Sequence, residues 1–362
     1  MCIRDRTITF YKNGASQGVA FSGLQAGTYF FGVGLYNATG NINFGQRPFA
    51  YTAPAGYNAL TTKNLPRLAI GSAAATPNQF FDAVTYTGNG TNSPNALTVS
   101  SLNFQPDLIW IKNRGTTDGH WIQDTVRGLG FALNSNTTGI DLVTGGGDVS
   151  SVTSTGFVIS YANSRTNASA NNYVAWCWRA GGAAVANTSG TITSQVSANT
   201  ASGFSIVTWT GSANGVGTMG HGLGTAPKLI ITKQRNQTGA WYTYTTAIDG
   251  TNKFLLLNTT ATAGSTGVAL PTSTVFSNDS WTATYNMIAY CWAEVAGFSK
   301  IGTWTNNNSN DGTFVYLGFK PAFVIVKITS TSNNWNMFDD KRPGFNEITL
   351  RLFPNLSNAE QD

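Results

Sequence analysis

One eight-residue segment occurs three times in this chain, and that recurrence limits the possible folds more than any other feature. PDLIWIKN at Pro106–Asn113, PKLIITKQ at Pro227–Gln234 and PAFVIVKI at Pro321–Ile328 share one plan: a proline, an apolar run, and a lysine at the sixth residue after the proline, at Lys112, Lys233 and Lys327. A tryptophan follows each lysine within eight or nine residues, and this spacing treats Trp121, Trp241 and Trp335 as equivalent. Similar turns precede the three strands, TYTGNG at Thr85, TWTGSANG at Thr208 and TWTNNNSNDG at Thr303. Two copies end in matching strands, YVAWCWRAGG at Tyr173–Gly182 and MIAYCWAEVAG at Met287–Gly297. Features repeating in a fixed order mean that one supersecondary unit has been reiterated.

Each unit reads as all-β. Leu108–Ile111, Leu229–Ile231 and Phe323–Val326 are short continuous apolar runs bounded by proline and polar residues, the pattern of strands covered on both faces. Gly/Asn/Thr-rich loops separate them from further strands near 156–161 and 254–257. Packing two sheets per unit is the simplest way to bury such strands. The expected fold class is therefore all-β, with tandem β-sandwich domains of jelly-roll or concanavalin-like type. The expected division is 1–6 as a foreign leader, 7–66 as part of a separate sandwich, 67–80 as a linker, and repeats at 81–186, 187–297 and 298–362. The third copy shows no closing strand before Asp362, so it is expected to be incomplete, and both ends to be cut.

Composition agrees with many short strands on a polar, weakly charged surface. Hydrophobic residues make up 41% of the 362 and supply ample core, whereas charged residues reach only 10%, well below the ~25% of ordinary domains. The net charge of +5 is spread singly along the chain rather than gathered in a stripe, which argues against nucleic-acid binding. No apolar run approaches the ~18 residues of a membrane-spanning helix, so no membrane insertion is expected.

Catalytic and metal-binding patterns are sparse. The two histidines, His120 and His221, sit in glycine-containing turns and read as exposed loop residues. No zinc spacing, calcium loop or phosphate loop occurs; Gly145–Gly147 lacks the lysine and helix that a phosphate loop needs. Sugar hydrolysis would need two facing carboxylates, and spacing alone cannot place them. Asp124/Arg127 and Asp339/Arg342 recur at one offset after the strand lysine and read as structural ion pairs. Cys177 and Cys291 alternate with Ala175 and Ala289 on one strand face, Trp178 and Trp292 facing the other way, and are expected to be free thiols in separate cores. Asn136, Asn187 and Asn258 precede x-Ser/Thr as a consequence of composition. No catalytic residue, metal ligand or cofactor is expected. The one candidate ligand contact is Trp281, with Asp279 beside it in the polar loop Ser277–Ser280, because it has no counterpart in the other copies.

Two resemblances add context. The FYKNG hairpin at Phe10–Gly14, Val19-Ala20-Phe21 and NFGQRPF at Asn43–Phe49 resemble the closing strands of a SPRY domain, a concanavalin-like sandwich. Gly56–Pro66 followed by tandem units with Phe-x-Pro before an apolar-Lys strand (Phe104–Pro106, Phe319–Pro321) and Cys-Trp at Cys177 and Cys291 resembles bacteriophage structural proteins; the middle copy departs, with Thr225-Ala226-Pro227. The first six residues, MCIRDR, are similar to a translated sequencing adaptor. The resemblance implies a non-enzymatic virion or tail-fibre-like component, made in a host bacterial cytoplasm, acting as a spacer and host-surface adhesion module. Its expected partners are other virion subunits, a host-surface glycan or protein, and further copies of the chain in a trimer. A tail glycan depolymerase and a bacterial lectin-like adhesin are the alternatives.

Overall fold

The computed structural model describes residues 2–4, 7–24, 50–52, 70, 75–144, 148–212, 217–277, 285–309, 312–342 and 348–362. The chain divides into two compact units, Met1–Arg67 and Leu68–Asp362. In the first, β1 (Cys2–Arg4), β2 (Thr7–Lys12) and β3 (Ala15–Phe21) form an antiparallel sheet in that order. Asn13 and Gly14 turn the β2–β3 hairpin with φ of 50° and 82°, the left-handed region that Asn-Gly tolerates and most residues avoid. The SPRY-like segment 43–49, and the segment 56–66 that resembles phage structural proteins, lie outside the described residues.

In the second unit the first copy contains β4 (Phe81–Thr87), β5 (Leu97–Val99), β6 (Leu108–Asn113), β7 (Trp121–Asp124), β8 (Phe131–Ala132), β9 (Leu142–Val143), β10 (Val149–Thr153), β11 (Gly156–Ile159) and β12 (Asn172–Trp178). The second contains β13 (Val185–Asn187), β14 (Ser194–Asn199), β15 (Phe204–Thr210), β16 (Thr218–Gly220), β17 (Leu229–Gln234), β18 (Tyr242–Thr245), β19 (Lys253–Leu256), β20 (Gly264–Ser265), β21 (Val275–Ser277) and β22 (Asn286–Trp292). The third contributes β23 (Phe323–Val326) and β24 (Asn336–Asp339).

The last strand of each complete copy enters the middle of its sheet. In the order β4-β12-β6-β7, β12 lies between the first strand and the proline-led strand β6; β22 lies likewise between β15 and β17. Central placement explains why these strands are apolar on both faces. Ile109, Ile111, Ala175 and Cys177 face the second layer, β10-β11-β5, across a core that includes Phe157 and Trp121. In the second copy Ile230, Ala289 and Cys291 pack against the β16–β21 pair through Met219 and Phe276. Each complete copy is therefore a two-layer sandwich. Cys177 and Cys291 are free and buried in these two separate interiors, as the alternation with alanine anticipates.

The opposite sheet faces do not meet water. Trp110, Val174, Trp176 and Trp178 of the first copy, Phe204, Ile206, Ile231, Trp241 and Tyr290 of the second, and Trp335, Met337 and Leu352 of the third form one continuous core. Sandwiches strung in series would leave these surfaces solvated; here the three copies close around a common interior.

The ladders also correct the equivalence of the tryptophans. Leu108 pairs with Asp124, Leu229 with Thr245 and Phe323 with Asp339. Counting back from those partners, Trp121 matches Tyr242 and Asn336, while His120 matches Trp241 and Trp335. Trp121 accordingly lies inside its own sandwich, whereas Trp241 and Trp335 lie in the shared core. A shift of one residue along a strand moves a side chain to the other face, so the eight-versus-nine spacing concealed a change of face.

Candidate functional site

Polar side chains recur at the joints between copies, and the contacts run in one direction around the ring. The Trp241 Nε1–H donates to the Asn134 carbonyl of the preceding copy at 2.9 Å, and the Trp335 Nε1–H to Leu256 at 3.0 Å. His120 closes the cycle beside the Phe353 backbone of the third copy, although its Nε2 does not meet hydrogen-bond geometry there. Its Nδ1 accepts from the Trp110 Nε1–H at 2.8 Å. At each joint an asparagine accepts the backbone N–H of the aromatic position: Asn136 from His120, Asn258 from Trp241 and Asn355 from Trp335. Asn136 and Asn258, read from the sequence as a matter of composition, thus have a structural role of their own.

A second ring of contacts lies at the strand ends. Asp141 donates its N–H to the Arg235 carbonyl, Ala263 to Thr329 and Glu360 to Arg114, three equivalent bonds of 2.7, 3.0 and 2.8 Å. Two of these joints add ion pairs, Arg235–Asp141 and Arg114–Glu360, both at 2.8 Å. The repeated lysines serve the same purpose. Lys233 Nζ donates to Gln234 and to Thr138 of the first copy, and Lys327 Nζ to Ile328 and to Thr260 of the second. Lys112 instead caps Asn113 and Thr116 within its own copy. Burial pulls Lys112 and Lys233 down to about 8.

The third ring holds the buried Asp/Arg pairs. Asp124 and Arg127 have no exposed side-chain surface, and Asp124 Oδ2 also accepts the Tyr290 hydroxyl of the second copy at 2.8 Å. Asp339 and Arg342 are buried in the same way, and Asp339 Oδ2 accepts the Trp176 Nε1–H of the first copy at 3.0 Å. Burial lowers the pKa of Arg127, but Asp124, Tyr290 and Asp141 outweigh it and hold the guanidinium above its usual range. Burial, with Asp124 alongside, pushes the Tyr290 hydroxyl far up. The pairs are structural, as their recurrence suggests, and each reaches across to the aromatic side chain that faces it from another copy.

Both histidines are fully buried, contrary to the exposed turns read from the sequence. His120 fills the interior position that tryptophan occupies in the other copies, stacked on Trp176 at 6.2 Å. His221 has Nε2 3.1 Å from the Thr272 carbonyl and accepts the Leu223 N–H at Nδ1. Burial lowers the pKa of both; around His120 the charges of Lys112 and Arg342 add to it, against the Phe353 carbonyl. Unfolded histidine takes its proton near ~6.5 and the folded rings only at lower pH, so stability present at neutral pH is lost as pH falls through that window. We expect urea midpoints to drop between about pH 7 and pH 5, with a limiting slope of ~1.4 kcal/mol per pH unit per histidine. His120→Gln, which can still accept from Trp110, is expected to flatten that slope. Burial raises the pKa of the Asp82 and Asp107 carboxyls, which works in the opposite sense at lower pH.

Clefts open to solvent occur among the described residues. One of about 450 Å³ is lined by Asp107, Arg179, Gly181 and Asn199 among others. Asp107 accepts from Thr125 Oγ1 at 3.0 Å and from the Ala180 N–H at 2.8 Å, so both of its oxygens are engaged, and no second carboxylate lines the cleft. A second, about 340 Å³, lies beside the Arg114–Glu360 pair and Asn171–Asn172. Among the described residues no group of three or more metal-ligating side chains is gathered. Trp281 and Asp279 lie outside the described residues.

The class these observations define is an all-β body in which two sandwich copies and a third, two-stranded copy close around one interior. The chain belongs to the family described as Domain of unknown function (DUF7483), whose model matches residues 76–362. No curated protein and no solved structure matches it.

Proposed function

We propose that the chain is a non-enzymatic component of a bacteriophage virion, of tail or tail-fibre type, that holds host-surface contacts on a rigid frame. The observation that carries this reading is where the recurring ionisable groups lie. Asp124, Arg127, Asp339 and Arg342 are engaged at joints between copies, and neither cleft pairs two free carboxylates in the manner sugar hydrolysis requires. Such a frame suits adhesion by many weak contacts, where avidity rather than a deep pocket supplies strength. The phage-like Phe-x-Pro and Cys-Trp pattern supports the location, and the polar, weakly charged composition suits a glycan or protein surface as partner.

The test uses the full chain on a glycan array and on bacterial surface preparations, with release of reducing sugar followed in parallel. Retention on a surface glycan or protein without sugar release is the expected result. Sugar release would replace this reading with a depolymerase. A gene neighbourhood free of capsid and tail genes would replace it with a bacterial surface adhesin.

A further inference from the structure

The joints between copies share one plan, but one of them is built on a side chain that can gain a proton. Trp241 closes the joint between the first and second copies, and Trp335 that between the second and third, each by an indole N–H on a carbonyl of the preceding copy. His120 holds the equivalent position between the first and third copies, with no exposed surface. Its Nδ1 accepts the Trp110 Nε1–H at 2.8 Å, and its ring stacks on Trp176. Its Nε2 lies beside the Phe353 backbone of the third copy, outside hydrogen-bond geometry.

This enclosure fits the neutral ring alone. A second proton would sit on Nδ1, where the Trp110 donor already points, so protonation removes that bond. The charges acting on the ring are Lys112 on β6 and Arg342 from the third copy, both positive. β12 presents Trp176, and the carboxylates on these elements are engaged elsewhere. Asp339 is held by Arg342 Nε and the Trp176 indole, and Asp118, on the same turn as His120, by the Thr116 and Ser164 hydroxyls. A buried cation without counter-charge or acceptor is costly, whereas in water the same ring takes its proton near ~6.5. The tryptophans at the other two joints have no such step.

We infer that the His120 joint is a proton-sensitive seam: mild acid opens the ring between its first and third copies while the other two joints stay closed. Opening gives the ring water in place of Phe353 and separates Trp176 from Asp339. The second histidine, His221, bonds Thr272 and Leu223 within its own copy, so its proton is not tied to a joint.

The experiment follows hydrogen exchange of three indole N–H groups in the intact chain by NMR, each relative to free tryptophan at the same pH. Trp176 donates across the seam to Asp339, Trp241 across the first joint and Trp335 across the second. With the enclosed ring neutral and the exposed ring titrating normally, exchange at Trp176 is expected to rise about tenfold between about pH 7.5 and about pH 5.5. Trp241 and Trp335 are expected to stay within about twofold. His120→Gln keeps an acceptor for Trp110, leaves the Lys341–Asp82 and Arg114–Glu360 pairs of this joint in place, and is expected to abolish the rise. An unchanged Trp176, an equal rise at all three indoles, or a rise that persists in His120→Gln would overturn the inference. The three indoles of the unaltered chain decide the matter even should the variant fail to fold. None of these readouts depends on the virion reading, so the seam and that function stand or fall separately.

Discussion

Replacing Asp124 by alanine is expected to lower stability by about 3–5 kcal/mol, the cost of leaving a buried charge without its partner. Arg127 would keep Asp141 as its one carboxylate partner, beside the Ile122 carbonyl and the Tyr290 oxygen, and the buried Tyr290 hydroxyl would lose its acceptor. Because Tyr290 belongs to the next copy, the loss should be felt at the joint as well as inside the first sandwich. A double-mutant cycle between Asp124→Ala and Tyr290→Phe, read from urea unfolding, is expected to give a coupling of ~0.5–3 kcal/mol. A zero coupling would mean that the cross-copy bond contributes nothing and that the ion pair acts within its own copy.

Trp176→Ala is expected to cost about 3–5 kcal/mol for a different reason. The indole is fully buried in the shared core, edge-on to Trp110 at 6.2 Å, stacked on His120 and beside Phe323 of the third copy, so its removal leaves a cavity that these neighbours cannot fill. It also leaves Asp339 without the indole donor. The second copy carries tyrosine at this position, and its hydroxyl reaches the equivalent carboxylate. Trp176→Tyr is therefore expected to recover most of the loss, since a hydroxyl at this position reaches the carboxylate and a phenol ring fills most of the space. A tyrosine variant as unstable as the alanine variant would contradict the internal symmetry.

Part of this arrangement is legible before folding. The proline-led strands, their burial on two faces, the free thiols and the structural use of the Asp/Arg pairs follow from local pattern, because strand periodicity and residue size act over a few neighbours. His120 was not legible. Its glycine-flanked turn looks like a surface loop, and only the ladder that pairs Leu108 with Asp124 shows it standing where tryptophan stands elsewhere. Asn136, Asn258 and Asn355 were not legible either: they follow the equivalent strand residues Asp124, Thr245 and Asp339 by 12, 13 and 16 residues, so no fixed spacing marks them.

By itself the sequence determined that this is a repeated all-β chain and which residue types alternate along its strands, since side-chain direction in a strand reverses with every residue. Tertiary structure alone decided that the copies form a closed ring and that Asp124 and Asp339 are each completed by an aromatic from another copy. Those contacts join residues far apart in the chain, whose distances depend on how whole sheets pack and on no local preference.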